Sequence, residues 1–318
     1  MRRNLPIFGV LAVLLVAIAI ANPFFLEPEG FLAFVKRAAP LAILAAGQYF
    51  VIVSGEFDLS VGSLVTAEVV IAARLIDGDS GATWPVVLLL LVFGALIGLV
   101  NGLVTTLLRV PSFIVTLGSL LILSGAVFLW TGGSPRGALS EEFRQFGRGS
   151  LGPVPWSVLI LVAVVAAVIA LMRSDFGRTL MAAGDNPTAA GLSGVRVLRV
   201  KTVAFILSGL SAAVCAVLLG GFAGVSAKVG EGLEFQAITA VVLGGVVLGG
   251  GRGSAVAAIT GAFTLQALFT LLNLYGISGA LEYTVQGLIL VIAVALGAVQ
   301  FPKRAKSASA TSTATTTA

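Results

Sequence analysis

The stretch Trp84-Pro-Val-Val-Leu-Leu-Leu-Leu-Val-Phe-Gly-Ala-Leu-Ile-Gly-Leu-Val-Asn-Gly-Leu-Val-Thr-Thr-Leu-Leu108 runs for 25 residues without Asp, Glu, Lys or Arg. A transmembrane helix needs about 20 mostly apolar residues to cross some 30 Å of hydrocarbon, so this segment predicts a membrane span. Within it Gly94, Gly98 and Gly102 recur every four residues on one helical face. Such a stripe lets another backbone approach closely, which is a packing device rather than a substrate contact. Nine further apolar stretches flank it, at 5–22, 36–54, 59–76, 111–131, 154–172, 202–222, 235–250, 255–275 and 280–300. The eighth of the ten, 235–250, is short and rich in glycine, and reads as either a full span or a broken helix shielded by its neighbours. The fold class is therefore all-α and polytopic, with about ten spans forming one domain over residues 1–302.

The composition agrees. Of 318 residues 58% are hydrophobic, 39 are glycine and only 10% carry charge, against roughly 25% charged in a soluble domain. That excludes a soluble enzyme, a nucleic-acid binder and a disordered scaffold. The absence of histidine removes the commonest metal ligand and general base, and the lone Cys215 excludes an intrachain disulfide. No metal site is expected. Gly191-Leu-Ser-Gly194 has the form of an intramembrane serine protease motif but lacks any histidine partner. No phosphate-cradling P-loop occurs either.

Placing the N-terminus in the cytoplasm puts twelve of the nineteen basic residues on inside loops, among them Arg2, Arg3, Arg109, Arg173, Arg196, Arg252, Lys303, Arg304 and Lys306. This obeys the positive-inside rule, gives both termini to the cytoplasm and requires an even number of crossings. Arg2-Arg3 ahead of the first apolar run predicts a retained span, with a cleaved signal peptide as the alternative. Residues 303–318, low-complexity Ser, Thr and Ala, predict a disordered cytoplasmic tail.

Inside the spans Glu68 is the one clear charge, and an intramembrane carboxylate sits on a solute path or a gate, or is held against a neighbouring helix. Gln48, Asn101, Gln266 and Asn273 join it as candidates for a translocation pathway, with interhelical glue as their other use. Pro40 and Pro111 are expected near helix starts.

Two segments between spans carry more. Gly55-Glu-Phe-Asp-Leu-Ser-Val-Gly-Ser63 forms the inner turn between the second and third spans, where Asp58 or Ser60 is expected to accept from the amides opening the third. Gly184-Asp-Asn-Pro-Thr-Ala-Ala-Gly-Leu-Ser-Gly-Val-Arg-Val197 lies in the longest and most basic inside loop. Asn186-Pro187 reads as a helix cap followed by proline at the first helical position, Thr188 to Leu192 as one or two turns, and Gly194 as the stop. A short helix with little of its own to pack against is expected to dock on a partner, so that Gly194→Val damages the interface and Gly184→Arg blocks approach.

These two blocks, the second continued by Lys201-Thr-Val-Ala-Phe-Ile-Leu-Ser-Gly209, together with Ala237-Ile-Thr-Ala-Val-Val-Leu-Gly-Gly245 and Gly249-Gly-Gly-Arg-Gly-Ser254, resemble the membrane permease of ribose-type sugar ABC importers. The resemblance covers about residues 36–300. It implies a type II ABC importer-like permease in the bacterial inner membrane, moving a monosaccharide or sugar-like solute by alternating access. The implied partners are a second permease copy, a cytoplasmic ATPase and an extracellular or periplasmic solute-binding protein, with no nucleic acid. ATP and Mg would belong to the ATPase, and this chain would hold no cofactor and catalyse nothing. The resemblance also implies that the loop with Gly184, Asp185, Asn186, Pro187, Ala190 and Gly194 is the ATPase coupling loop, and it singles out Gly55, Asp58, Ser60 and Gly62 in the turn motif. Glu56-Phe57 stands where the family usually has Gly-Ile. The alternative classes are an ion-gradient-driven secondary transporter, which usually needs more intramembrane acids, and an integral-membrane enzyme.

Overall fold

The computed structural model describes residues 5–277 and 279–299. Along the described chain run α1 (Leu5–Ala21), α2 (Pro28–Val53), α3 (Val61–Ile76), α4 (Thr83–Leu107), α5 (Ser112–Thr131), α6 (Glu141–Arg148), α7 (Trp156–Arg173), α8 (Asp175–Asp185), α9 (Pro187–Leu192), α10 (Val197–Ala223), α11 (Leu233–Leu243), α12 (Ala255–Leu274) and α13 (Ala280–Val299). Ten of these correspond to the expected spans, and α6, α8 and α9 lie between them. Among the described residues six helices are long and apolar enough to cross a membrane: α2, α4, α5, α7, α10 and α12. The tail 303–318 and Arg2, Arg3, Lys303, Arg304 and Lys306 lie outside the described residues.

The eighth expected span is broken. Its helix, α11, has 11 residues, and Gly245, Gly250 and Gly251 at φ +79°, +81° and +70° turn the chain where a right-handed helix cannot continue. Pro40 is also displaced from its expected place. The helix α2 begins at Pro28, so Pro40 lies well inside it rather than near its start. Pro111, as expected, immediately precedes α5.

The centre of the bundle is α2 with α10. Every residue from Ala38 to Val53 is buried, so this part of α2 is covered by protein on all sides. Against it and against α3, α4, α6 and α8 lies α10, whose buried face is mostly small: Ala204, Ser208, Gly209, Ala212, Ala213, Ala216 and Gly220. Lipid tails are as apolar as leucine, so association in the membrane rests on close van der Waals contact, and small residues provide it. The Gly94, Gly98, Gly102 stripe is where α4 meets α10. An added Cβ at Gly94 would strike the Gly209 carbonyl, one at Gly98 the Phe205 carbonyl, and one at Gly102 would stand 2.9 Å from Thr202 Cα. The rest of α4 turns outward, with Leu88, Leu89, Leu96 and Val100 exposed. Exposed leucine, isoleucine and phenylalanine continue over α5, a surface that only hydrocarbon or a protein partner can cover.

The α4–α10 crossing gives a direct stability test. Gly209→Ala pushes a methyl group into the Gly94 backbone, an overpacking cost of about 1–3 kcal/mol, and is expected to lower the midpoint of heat-induced aggregation in detergent by about 5 °C. Gly118→Ala, where nothing lies within 4 Å of the new methyl, should leave the midpoint unchanged when both are followed by gel filtration after heating.

Candidate functional site

The three sequence blocks meet. At the end of α2 the Val53 carbonyl accepts from the Gly251 amide at 2.8 Å, and Gly55 follows at φ +86°. An added Cβ at Gly250 would stand 2.8 Å from both the Gly184 carbonyl oxygen and the Gly55 nitrogen, and one at Gly184 would strike the Val53 carbonyl. Three non-adjacent segments thus touch backbone to backbone through glycine. Gly184 is therefore buried inside the helical bundle. Its bulk-intolerance comes from Val53 and Gly251, which corrects the expectation that Gly184→Arg acts by blocking the approach of a partner. Asp185 beside it faces Arg252 at 3.6 Å, a half-exposed pair of little energetic weight.

Beyond this junction the chain projects as α9. Asn186 caps it, Oδ1 accepting from the Ala189 amide at 3.0 Å, with Pro187 at the first helical position. At the other end the Val195 amide donates to the Ala190 carbonyl and the Gly194 amide to the Gly191 carbonyl, both at 3.0 Å, while Gly194 takes φ +87°. This is a Schellman stop. Six residues are too few to hold a helix by themselves, so the two caps define it. Ala190 is buried against the rest of the bundle, and Leu192 on the other side is 87% exposed.

From Gly55 the chain does not stay at the end of the bundle, as expected for a short turn between two spans, but climbs into it. Asp58 reaches Ser208, eleven residues and roughly 16 Å along α10 from Val197. Asp58 Oδ1 accepts from the Ser60 amide at 3.0 Å and from Ser60 Oγ at 2.6 Å, and Oδ2 from Ser208 Oγ at 2.9 Å. Ser60 Oγ accepts in turn from Asn101 Nδ2 at 3.0 Å, and Asn101 Oδ1 from Ser119 Oγ at 2.5 Å. The Phe57 amide donates to Ser112 Oγ at 3.0 Å and its carbonyl accepts from Thr116 Oγ1 at 3.3 Å. Asp58 and Ser60 are both 1% exposed. Of the expected capping, Asp58 does accept from the Ser60 amide at the opening of the third span, but neither side chain accepts from the first-turn amides of α3 itself, and the remaining bonds of both run across the bundle to α4 and α10.

Gly62, at the start of α3, supplies room for another element. An added Cβ there would strike the Glu234 carboxylate and stand 2.6 Å from the Gly230 carbonyl oxygen. Thr66 Oγ1 accepts from the Gly230 amide at 3.0 Å. The segment before α11 thus enters the bundle to meet the start of α3.

The candidate pathway residues do not gather in one place. Asn101 belongs to the Asp58 network. Glu68 is fully buried, its carboxyl lying on the Gly94 face of α4, and neither it nor the buried Gln48 has a hydrogen-bond partner among the described residues. Gln266 and Asn273 are elsewhere, on a cleft of α12 with Asn22 and Arg37. Glu56, the departure in the turn motif, pairs with Lys201 near the start of α10 at 2.5 Å, the two side chains being 17% and 13% exposed. Sequence reasoning passed over Ser208, Ser112, Thr116, Ser119 and Lys201 as partners of the turn. Only Ser208 and Lys201 carried a signal, since both stand in the quoted block 201–209. Among the described residues no three acidic or cysteine side chains gather to hold a metal.

Residues 30–294 match the family described as "Branched-chain amino acid transport system / permease component". The ribose import permease protein RbsC of Bacillus subtilis is 36% identical, with 93% of this chain and 92% of that protein aligned. The autoinducer 2 import system permease protein LsrC of an Enterobacter strain is 34% identical over 90% of this chain and 82% of its own length. The galactose/methyl galactoside import permease protein MglC of Haemophilus influenzae is 31% identical over 94% and 95%. No solved structure matches the chain.

The Glu56–Lys201 pair is separable from the glycine junction by charge exchange. Glu56→Lys and Lys201→Glu should each lower the thermal midpoint by leaving two like charges together in a mostly buried site. The double exchange should recover most of the loss, a coupling of about 1–3 kcal/mol read from the four-member cycle.

Proposed function

The chain belongs to the branched-chain amino acid transport permease family, and we propose that within it this protein is the membrane subunit of an ATP-driven importer for a monosaccharide or sugar-like solute. The named imports of its relatives, ribose, autoinducer 2 and galactose, support that substrate class. On this reading two copies form the translocation unit in the bacterial inner membrane, with both termini in the cytoplasm. A separate ATPase hydrolyses ATP on the inside face, and a solute-binding protein delivers the solute outside. The chain itself makes and breaks no bond.

The observation that carries the proposal is the physical connection between α9 and the interior. A double-capped helix with an exposed Leu192 stands off the bundle, while the residue that opens its loop, Gly184, is wedged against Val53 and Gly251. A push on α9 is passed to the end of α2 and to the Gly250 turn without any long side chain to absorb it. Lys201, fourteen residues past Pro187, holds Glu56 and adds a second link to the same turn. Beyond the turn, Asp58 and Ser60 connect to α4, α5 and α10. Closure of the ATPase pair would therefore displace a non-helical segment that is hydrogen-bonded to α4, α5 and α10. Repacking of hydrogen-bonded interfaces between two arrangements is how such a displacement becomes a change of access.

Leu192→Asp and Gly194→Val test this. Leu192→Asp places a charge on the exposed apolar contact, and Gly194→Val asks a β-branched residue to hold φ +87°, a strain of about 1–3 kcal/mol confined to the loop. Both variants should keep the wild-type thermal midpoint of the isolated permease. In proteoliposomes with the ATPase and loaded binding protein, solute uptake is expected to fall by about tenfold or more, together with recovery of the ATPase in pull-down. Wild-type uptake by both variants, or uptake without any ATPase, would refute the reading.

A further inference from the structure

At the end of the bundle opposite α9, three cations gather without an acid. Lys36 and Arg37 lie on α2, and Arg148 closes α6. Lys36 Nζ donates to the Arg148 carbonyl at 2.8 Å, and the Arg148 guanidinium donates to the Phe222 carbonyl at 3.3 and 3.2 Å. Arg37 donates from Nε to Ala33 within its own helix at 3.4 Å. No ion pair among the described residues joins any of the three to a carboxylate.

Arg37 separates two cavities. The larger, about 560 Å³, lies between α2, α12 and the chain following α1, and has Arg37, Asn22, Gln266, Asn273 and Thr270 among apolar walls that include Phe25 and Phe34. The smaller, about 180 Å³, shares Arg37 and Gln266 and adds Lys36 and Ser157. Ser157 is 2% exposed, and its Oγ has no hydrogen-bond partner among the described residues. Neither cavity is lined by an acid; the nearby Glu282 accepts from Asn273 Nδ2 at 2.6 Å. A buried hydroxyl without a partner is costly unless something fills the site, and the exposed Arg37 beside it is a cation with no carboxylate paired to it among the described residues.

We propose that this cleft binds the headgroup of an anionic glycerophospholipid of the outer leaflet, its phosphate held by Arg37 and Lys36 with Ser157. The amides of Asn22 and Gln266 suit the hydroxyls of a glycerol-type headgroup. The ligand is a lipid rather than a soluble phosphate ester because the larger cavity is also lined by Phe24 and Leu274, exposed apolar side chains that an acyl chain would cover. The bound lipid would tie α1 and α12 to α2 at the end of the molecule farthest from the coupling helix.

The test uses the full chain, delipidated in detergent and returned to phosphatidylglycerol or phosphatidylcholine. Phosphatidylglycerol should raise the thermal midpoint above phosphatidylcholine, and native mass spectrometry should find it retained. Arg37→Gln should weaken phosphatidylglycerol retention by about tenfold, the effect of losing one charge-assisted contact, whereas Arg144→Gln, on α6 but lining neither cavity, should leave it unchanged. If Arg37→Gln does not fold, Gln266→Leu carries the same expectation of weakened retention. Equal stabilisation by the two lipids, or undiminished retention by whichever of these two variants folds, overturns the proposal. An equal shift from soluble glycerol phosphate would overturn the lipid assignment.

Discussion

A chain that leaves the helical conformation inside a membrane bundle must find a partner for every amide and carbonyl it exposes, since hydrocarbon supplies none. Residues 54–60 are such a chain. The connection from α2 to α3 rises into the protein interior, and the bundle is arranged around satisfying it. Ser112 and Thr116 of α5 take the backbone of Phe57, Asp58 turns back on the Ser60 amide, and Ser208 of α10 closes the other side of the carboxylate. The hydroxyls and amides that do this come from three separate helices, so α4, α5 and α10 are held in register by one short segment. In a low-dielectric interior such a network is strong when complete and costly when broken, which gives the turn two roles together: it orients the helices, and it is the place where a small displacement has a large energetic consequence.

Close approach makes this geometry available. Asp58 and Asn101 meet through Ser60 because α4 lies against α10 with nothing between the backbones at Gly94, Gly98 and Gly209. A methyl group at any of those positions would hold the helices apart and stretch the polar contacts between them. The same logic governs the junction of Gly55, Gly184 and Gly250, except that there the meeting backbones belong to turns. Positive φ at Gly55 and Gly250 and the absence of a side chain at Gly184 are separate requirements, and glycine alone meets both.

The spans were legible because hydropathy over some twenty residues is a collective signal that survives local noise. The caps of α9 were legible for the opposite reason: Asn186, Pro187 and Gly194 act within one turn of their own positions, so the sequence states the interaction directly. What was hidden is long-range. Ser208 lies 150 residues from Asp58, and nothing about a serine in an apolar helix distinguishes a partner for a distant carboxylate from one bonded to its own backbone. Gly184 failed similarly, since a glycine left bare for a docking partner and one left bare for Val53 look alike in sequence. The short helix α6 was missed because its eight polar-rich residues carry no apolar run, although Phe143 at its centre is fully buried.

The substitution of Glu56 for the small residue usual in the resembling family belongs to the same mechanical picture. Its carboxylate reaches the start of α10 and holds Lys201 in a mostly buried pair. A glycine at that position would leave the glycine junction as the sole rigid tie between the α9 loop and the interior turn; the ion pair adds a second, reached through α10 instead of α8. Two ties at different points resist rotation as well as translation of the turn relative to the α9 loop. The pair lies near the start of α10, while Asp58, Asn101 and Ser208 lie deeper in the bundle, so the departure adds its contact at the end of the turn nearest the α9 loop.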